Sequence, residues 1–259
     1  MLTLRPIIMR KIQEISIIGT GLVGQTLAKY FLSRGLKIRQ IVFRTPPKQQ
    51  LSQVSYIADL KALERVDLVL ICVNDASLQQ VIESITDKQF IAYTSGAIGL
   101  DQFEKRENLA VFYPLQSFAH LNESAIAQIP ILLEAKNEEL IEVLKDFASS
   151  YFNRFEEMNS EKRFQLHLAA VFANNFTNHL IHLAQKHCEK NNLPFDLLLP
   201  LITETAEKWK AVPAGELQTG PAIRGDENVI EKHLRHITGD LQKIYHTLTE
   251  SIRNEKDKA

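Results

Sequence analysis

Short apolar, β-branched runs alternate with amphipathic segments over the first two-thirds of the chain; after Ser160 the runs stop and long helical patterns take over. Strand-length runs separated by helical periods are what a parallel sheet with crossover helices produces. The pattern predicts strands over residues 14–18, 38–43, 67–73, 90–93, 109–112 and 129–133, with a short closing strand at 154–157. Helices are predicted over 22–33, 77–85 and 138–150, then over 161–190, 195–210, 227–237 and 240–253. Residues 254–259 are charged and expected to fray. The expected organisation is an α/β domain over 1–158 followed by an all-α domain over 159–259.

Bulk properties narrow the function classes. The chain of 259 residues is 45% apolar and 24% charged with a formal net charge of -1, so nothing in its overall charge favours nucleic acid or an acidic membrane. Its longest apolar stretches, 66–73 and 129–133, fall well short of the roughly 20 residues a spanning helix needs. The start, 1–10, lacks the apolar core and small-residue cleavage site of a signal peptide; the first eight residues read as a loose leader, or translation starts at Met9. Cys72 and Cys188 lie far apart without metal-ligand spacing, so neither a disulfide nor a metal framework is expected, and the expected compartment is the cytoplasm.

The first predicted strand runs straight into Gly19-Thr20-Gly21-Leu22-Val23-Gly24, and a helix-forming segment follows at once. A lone glycine pattern of this kind is common; the strand before it and the helix after it give it meaning. The first glycine permits a tight turn, the second lets a pyrophosphate approach the backbone, and the third lets helix and strand close. The helix N-terminus adds free amides and a positive dipole end. This is the frame of a Rossmann dinucleotide-binding domain, set against an accidental glycine turn in another α/β fold.

The end of the second strand selects the nucleotide. NAD- and FAD-binding folds place a carboxylate there for the ribose hydroxyls, whereas an Arg accommodates the 2′-phosphate of NADP. This chain reads Val42-Phe43-Arg44-Thr45-Pro46-Pro47-Lys48, with no acid in the turn. Arg44 offers a fork of donors and Thr45 a hydroxyl, so NADP is expected in preference to NAD. The plain alternative is that Arg44 is a solvated loop residue.

Ligands of open α/β sheets lie beyond the carboxyl ends of the strands. Those ends here carry Val73-Asn74-Asp75, Thr94-Ser95-Gly96 and Tyr113-Pro114-Leu115-Gln116-Ser117-Phe118. Asn74 and Asp75 are candidates to touch the cofactor, with Asp75 as a helix N-cap the competing use. Thr94 and Ser95 place hydroxyls where a nicotinamide should arrive, and Ser95 is also a catalytic candidate, to steer a proton. Gln116 and Ser117 are candidate substrate hydrogen-bonders, or ordinary turn polarity.

At about 100° per residue, His167, Val171, Asn174, Asn178 and His182 share a narrow stripe of the 161–190 helix, with Asn175 at its edge. The rest of that helix is largely apolar, so it is expected to be buried, its polar stripe facing a cleft, a partner or internal hydrogen bonds. His167 is a candidate proton donor, against the plain reading of a satisfied buried histidine. Asn174 and Asn175 are candidates to orient a substrate. In the loop Thr219-Gly220-Pro221-Ala222-Ile223-Arg224-Gly225-Asp226, Arg224 offers a cation for a substrate carboxylate and Thr219 a hydroxyl; a simple connector with Asp226 as helix cap competes.

These features together resemble a family of uncharacterised Rossmann-like oxidoreductases with a helical C-terminal domain, a domain-of-unknown-function type, related to pyrroline-5-carboxylate reductase and 6-phosphogluconate dehydrogenase. The resemblance runs from Lys11 over nearly the whole chain, and its Thr219–Asp226 motif is fairly specific. It implies a nicotinamide cofactor, a small-molecule carbonyl or imine substrate, and a homodimer formed through the C-terminal helices. Hydroxyacid dehydrogenase relatives carry a lysine on the central helix four residues before an Asn; here that position is Ala170 or Val171, so hydroxyacid oxidation does not transfer. The proline-pathway reaction does not transfer either, because the loop at Thr219 differs in sequence from the reductases' substrate loop. The competing class is a non-catalytic NADP(H)-binding sensor.

Overall fold

A computed structural model describes residues 11–256. The leader and alternative start anticipated in the first ten residues, and the last three residues of the chain, lie outside the described residues. The chain divides into two compact units, Met1–Ala173 and Asn174–Ala259.

The first unit is built on one eight-stranded sheet in the order β3-β2-β1-β4-β5-β6-β7-β8. Its strands are β1 (Glu14–Ile18), β2 (Lys37–Val42), β3 (Ser55–Ile57), β4 (Leu68–Ile71), β5 (Ile91–Tyr93), β6 (Leu109–Pro114), β7 (Ile131–Ala135) and β8 (Phe155–Glu157). Strands β1 to β6 are mutually parallel, β7 runs antiparallel to β6, and β8 is parallel to β7. The order 3-2-1-4-5-6 is that of the doubly wound dinucleotide-binding fold, which places the carboxyl ends of β1, β4, β5 and β6 on one edge. The near-continuous apolar sequences of β1 and β4 follow from burial on both sheet faces. On one face, α1 (Leu22–Ser33) and α3 (Glu138–Tyr151) bring Leu27, Phe31, Leu144 and Phe147 against Ile15, Ile17, Leu70 and Phe112. On the other, α2 (Asp75–Ser84) brings Leu78 and Ile82 against Ile18, Val69, Ile71 and Val111.

The predicted Rossmann architecture is the one found, and β1 and α1 match their predicted bounds. One strand was not anticipated: β3 is three residues long with a single β-branched aliphatic, too short to show alternation. A second departure is in the long helix. The expected continuous 161–190 helix is α4 (Ser160–Ala170), a π-helical turn over Val171–Phe176, and α5 (Thr177–Lys190). A π turn spans five residues per hydrogen bond rather than four, so the 100° spacing behind the His167–Asn174 stripe does not hold across it. Burial of that helix is also corrected: Phe164, Leu168, Phe172, Phe176 and Leu180 are exposed, because the described residues leave these side chains uncovered.

The second unit holds α5, a 3-10 turn at Phe195–Leu198, α6 (Leu199–Lys208), α7 (Pro221–Arg224), α8 (Glu227–His236) and α9 (Asp240–Lys256). Helix α9 runs through residues 254–256, which were expected to fray. The strands end before Met158, where the sequence texture changes, whereas the division between compact units falls later, inside the π turn. No helix among the described residues is long and apolar enough to cross a membrane.

Candidate functional site

Strand β1 delivers Gly19 at φ 114°, a left-handed backbone where a side chain would be strained, and a β-carbon there would lie 2.2 Å from the Cys72 carbonyl oxygen. Gly24 is equally constrained, its missing β-carbon falling 2.2 Å from the Gly19 oxygen. By contrast, nothing lies within 4 Å of the position a β-carbon would take at Gly21. Gly21 is also the N-cap of α1 and makes no side-chain cap, so the first amides of that helix remain for a ligand. Two glycines therefore close the turn and the third keeps its outer side open.

A cavity of about 580 Å³ opens over this loop, lined by Gly19, Thr20, Gly21, Arg44, Thr45 and Val73 among others. Arg44 is exposed and has no carboxylate partner among the described residues. The Thr20 hydroxyl donates to the Thr45 carbonyl at 3.3 Å, tying the glycine loop to the β2 turn. Leu22 is exposed and Val23 half-buried, so of the six loop residues only these two offer apolar side chains. Sequence reasoning missed part of the wall: Ala58 and Leu60 follow the unpredicted β3, and Gln80, Val81 and Ser84 come from α2. This cradle fits a dinucleotide carrying an extra phosphate near Arg44.

Beyond β4, Asn74 rather than Asp75 caps α2, its side chain accepting from the Ser77 amide at 3.0 Å. Asp75 sits in the first helical turn, where a carboxylate suits the dipole, so the capping role weighed for Asp75 falls to its neighbour. Beyond β5, the Thr94 hydroxyl donates to the Ile71 carbonyl at 3.3 Å. The Ser95 hydroxyl oxygen accepts from the amides of Ala97 and Ile98, each at 3.1 Å, and so shapes the turn that follows. Burial pushes the Cys72 thiol up to about 12, which leaves it protonated.

Past β6 lies a polar cluster that sequence reasoning only partly foresaw. Asn159 caps α4 through the Lys162 amide at 2.9 Å. Ser160, Arg163 and His167 then share one face of that helix at spacings of three and four. Arg163 is wholly buried; it is ion-paired with Glu134 of β7 and donates to the Ile98 carbonyl at 2.5 Å. Ser160 donates to Glu134 at 2.8 Å and accepts from the Leu100 amide at 3.0 Å. His167, half-buried, places Nδ1 2.9 Å from the Tyr113 hydroxyl. Tyr113 was visible only as part of a motif, and Arg163 and Glu134 not at all, although the four-residue step from Arg163 to His167 was a usable signal.

The remaining candidates divide. Gln116 is exposed and turns its amide oxygen onto the Ser117 amide at 2.8 Å. Asn174 and Asn175 lie exposed in the π turn. In the second unit, Thr219 is exposed and Gly220, at φ 108°, starts α7. Arg224 is not a free cation: its Nε donates to Asp226 at 2.9 Å. Asp226 stands at the N-cap of α8 but makes no capping bond, because that carboxylate is engaged by Arg224.

Comparison with known proteins agrees with this geometry. The family described as NADP oxidoreductase, coenzyme F420-dependent, matches residues 14–93, and a domain of unknown function, DUF2520, matches residues 129–252. The crystal structure of a "putative NADP oxidoreductase" from Bacteroides fragilis is 37% identical with a TM-score of 0.85, over 93% of this chain and 98% of that one. A protein from Thermotoga maritima is 25% identical with a TM-score of 0.69, over 94% and 98%. A pyrroline carboxylate reductase from Plasmodium falciparum, solved with NADP bound, shares the fold at 14% identity and a TM-score of 0.59, over 96% and 99%. Among curated proteins none matches the chain.

Proposed function

The chain belongs to the same family as the Bacteroides fragilis protein, and from that premise we propose that it is an NADP-dependent oxidoreductase acting on a small carbonyl or imine substrate. The observation that carries this reading is the acid-free cavity in which Arg44 and Thr45 stand beside an open glycine loop. Gly19, Thr20, Gly21 and the amides opening α1 would hold the pyrophosphate, and Arg44 with Thr45 the 2′-phosphate. When bound, the nicotinamide supplies or accepts a hydride. His167, its imidazole held by Tyr113, or a hydroxyl of Ser95 or Thr219, steers the accompanying proton. Asn174 and Asn175 are our candidates for orienting a substrate. In the second unit, Thr219, Gly220 and Arg224 are candidates for a substrate's polar groups, with Arg224 exchanging Asp226 for a carboxylate.

We place the protein in the cytoplasm, where its two buried, unpaired cysteines would stay reduced. We assign its partner as a second copy of the chain. The apolar side chains Phe176, Leu197, Leu201 and Trp209, left exposed on helices, support this, as does the family resemblance.

The test is a titration of NADPH against NADH, following quenching of protein fluorescence. The unmutated protein should bind NADPH at least about tenfold more tightly, the value of one charge-assisted phosphate contact, and Arg44→Glu should remove that preference. Equal binding of NADH by the unmutated protein would overturn the NADP assignment. A second reading, a non-catalytic NADP(H) sensor, is favoured by Ala170 and Val171 standing where relatives carry a lysine. Tight binding of NADPH without its oxidation, across a panel of oxo-acids and imines, would select the sensor.

A further inference from the structure

Three segments of the first unit converge on one hydrogen bond. Strand β6 supplies Tyr113, whose hydroxyl lies 2.9 Å from His167 Nδ1, and the two rings meet edge to face with centroids 5.9 Å apart. Helix α4 supplies His167 from a face already fixed by Arg163 and Ser160 on Glu134. The turn after β5 supplies Gly96, where a β-carbon would lie 2.6 Å from Tyr113 Cζ and 2.9 Å from His167 Nδ1. Only glycine leaves room for the pair. Ser95, next to it, shapes this turn through the Ala97 and Ile98 amides.

Burial pushes the Tyr113 phenol above its ordinary range; the Arg163 charge opposes this and that of Asp75 adds to it. A phenol kept protonated carries a proton that a bare Nδ1 at this distance can accept. Among the described residues neither the Tyr113 hydroxyl nor the His167 ring makes another hydrogen bond.

We infer that Tyr113 is a positioning residue that holds the uncharged form of the His167 ring as its Nε2–H tautomer, so that Nε2–H is the one donor this form offers to the carbonyl oxygen or imine nitrogen of a substrate. A neutral imidazole donor can polarise such a group without placing a full charge beside it. What Nε2–H touches rests on the oxidoreductase reading above; the tautomer itself does not.

The experiment is long-range proton–nitrogen spectroscopy of the histidine rings in the full-length, nitrogen-15-labelled protein, with His167→Gln identifying the signals. The unmutated protein should show Nδ1 bare and Nε2 protonated. Tyr113→Phe keeps the ring contact and removes only the hydroxyl, and should give a mixture of tautomers. Gly96→Ala should give the same mixture with the phenol still present, because its methyl forces the pair apart. A proton on Nδ1 in the unmutated protein, or an unchanged spectrum in Tyr113→Phe, would overturn the inference. Failure to bind NADPH would instead sink the functional reading and leave this result standing on its own. With a substrate from the panel, Tyr113→Phe should lower kcat about 10- to 100-fold and leave the KM for NADPH unchanged, as loss of a group that orients another does.

Discussion

The unit that carries the sheet and the helical unit after it solve the burial problem differently. In the first, Ile15, Leu27, Leu70, Val111, Phe112 and Leu144 are fully buried, and helices cover both faces of the sheet. In the second, only Cys188, Ala222, Ile230 and Thr249 are buried among the described residues, while Leu193, Leu197, Leu199, Leu201 and Trp209 stay exposed. Burial of apolar area is the main favourable term in folding, and a helical unit that hides so little of it keeps apolar area for the second copy proposed above.

Substituting one large apolar residue in each unit breaks or sharpens this contrast most directly. Phe112→Ala opens a cavity against Phe147 and Phe152 and should cost about 3–5 kcal/mol in a denaturant titration. Leu197→Ala, 73% exposed, should stay within about 0.5 kcal/mol in dilute protein. Similar losses at both sites would mean that the second unit has a core of its own.

The buried ion pair comes next in size. Glu134→Gln leaves the wholly buried Arg163 guanidinium without its counter-charge; discounted for the partly exposed carboxylate, the expected loss is roughly 2–3 kcal/mol. Thermal unfolding followed by near-ultraviolet dichroism measures it. A loss below that of an ordinary surface substitution would show that the pair does not anchor α4.

The proposed second copy makes its own prediction. Replacing Leu197 and Leu201 together with Asp should leave an isolated chain almost unaffected, but should halve the mass seen by light scattering if a second copy covers that face. An unchanged mass would remove the second copy from these two residues.

The same contrast governs what was legible in the sequence. Strand β1 was readable as an apolar run ended by turn residues, helix α1 by its period, and the glycine loop because a phosphate cradle imposes residue types at fixed steps. The three-residue β3 sits at the sheet edge with no period to read. The π turn at Val171–Phe176 was invisible because helical periodicity assumes a constant step. The contact of Tyr113 with His167 spans 54 residues of sequence and exists only once sheet and helix have met. Arg224 looked like a free cation because nothing in the sequence reveals which acid a loop will turn toward it.

The smallest expected effect tests whether the first unit excludes water as its packing implies. Burial pushes the phenols of Tyr93, Tyr113 and Tyr151 above their ordinary range, and all three belong to that unit. A tyrosine raised in the folded state binds more protons there than in the unfolded chain, so stability is complete below about pH 10 and falls as pH rises further. Tyr93 is wholly buried and donates to the Ile98 carbonyl at 2.9 Å. Tyr93→Phe should therefore cost about 1 kcal/mol at neutral pH through that lost bond. Above about pH 10 the deficit should shrink by up to about 1.4 kcal/mol per pH unit, because Phe has no proton to lose. Denaturant titrations of both proteins at about pH 8 and about pH 11 bracket the ordinary tyrosine range. A deficit equal at the two values would mean that the Tyr93 phenol ionises as it does in water, and that the sheet face beneath Phe103 and Leu100 is open to solvent.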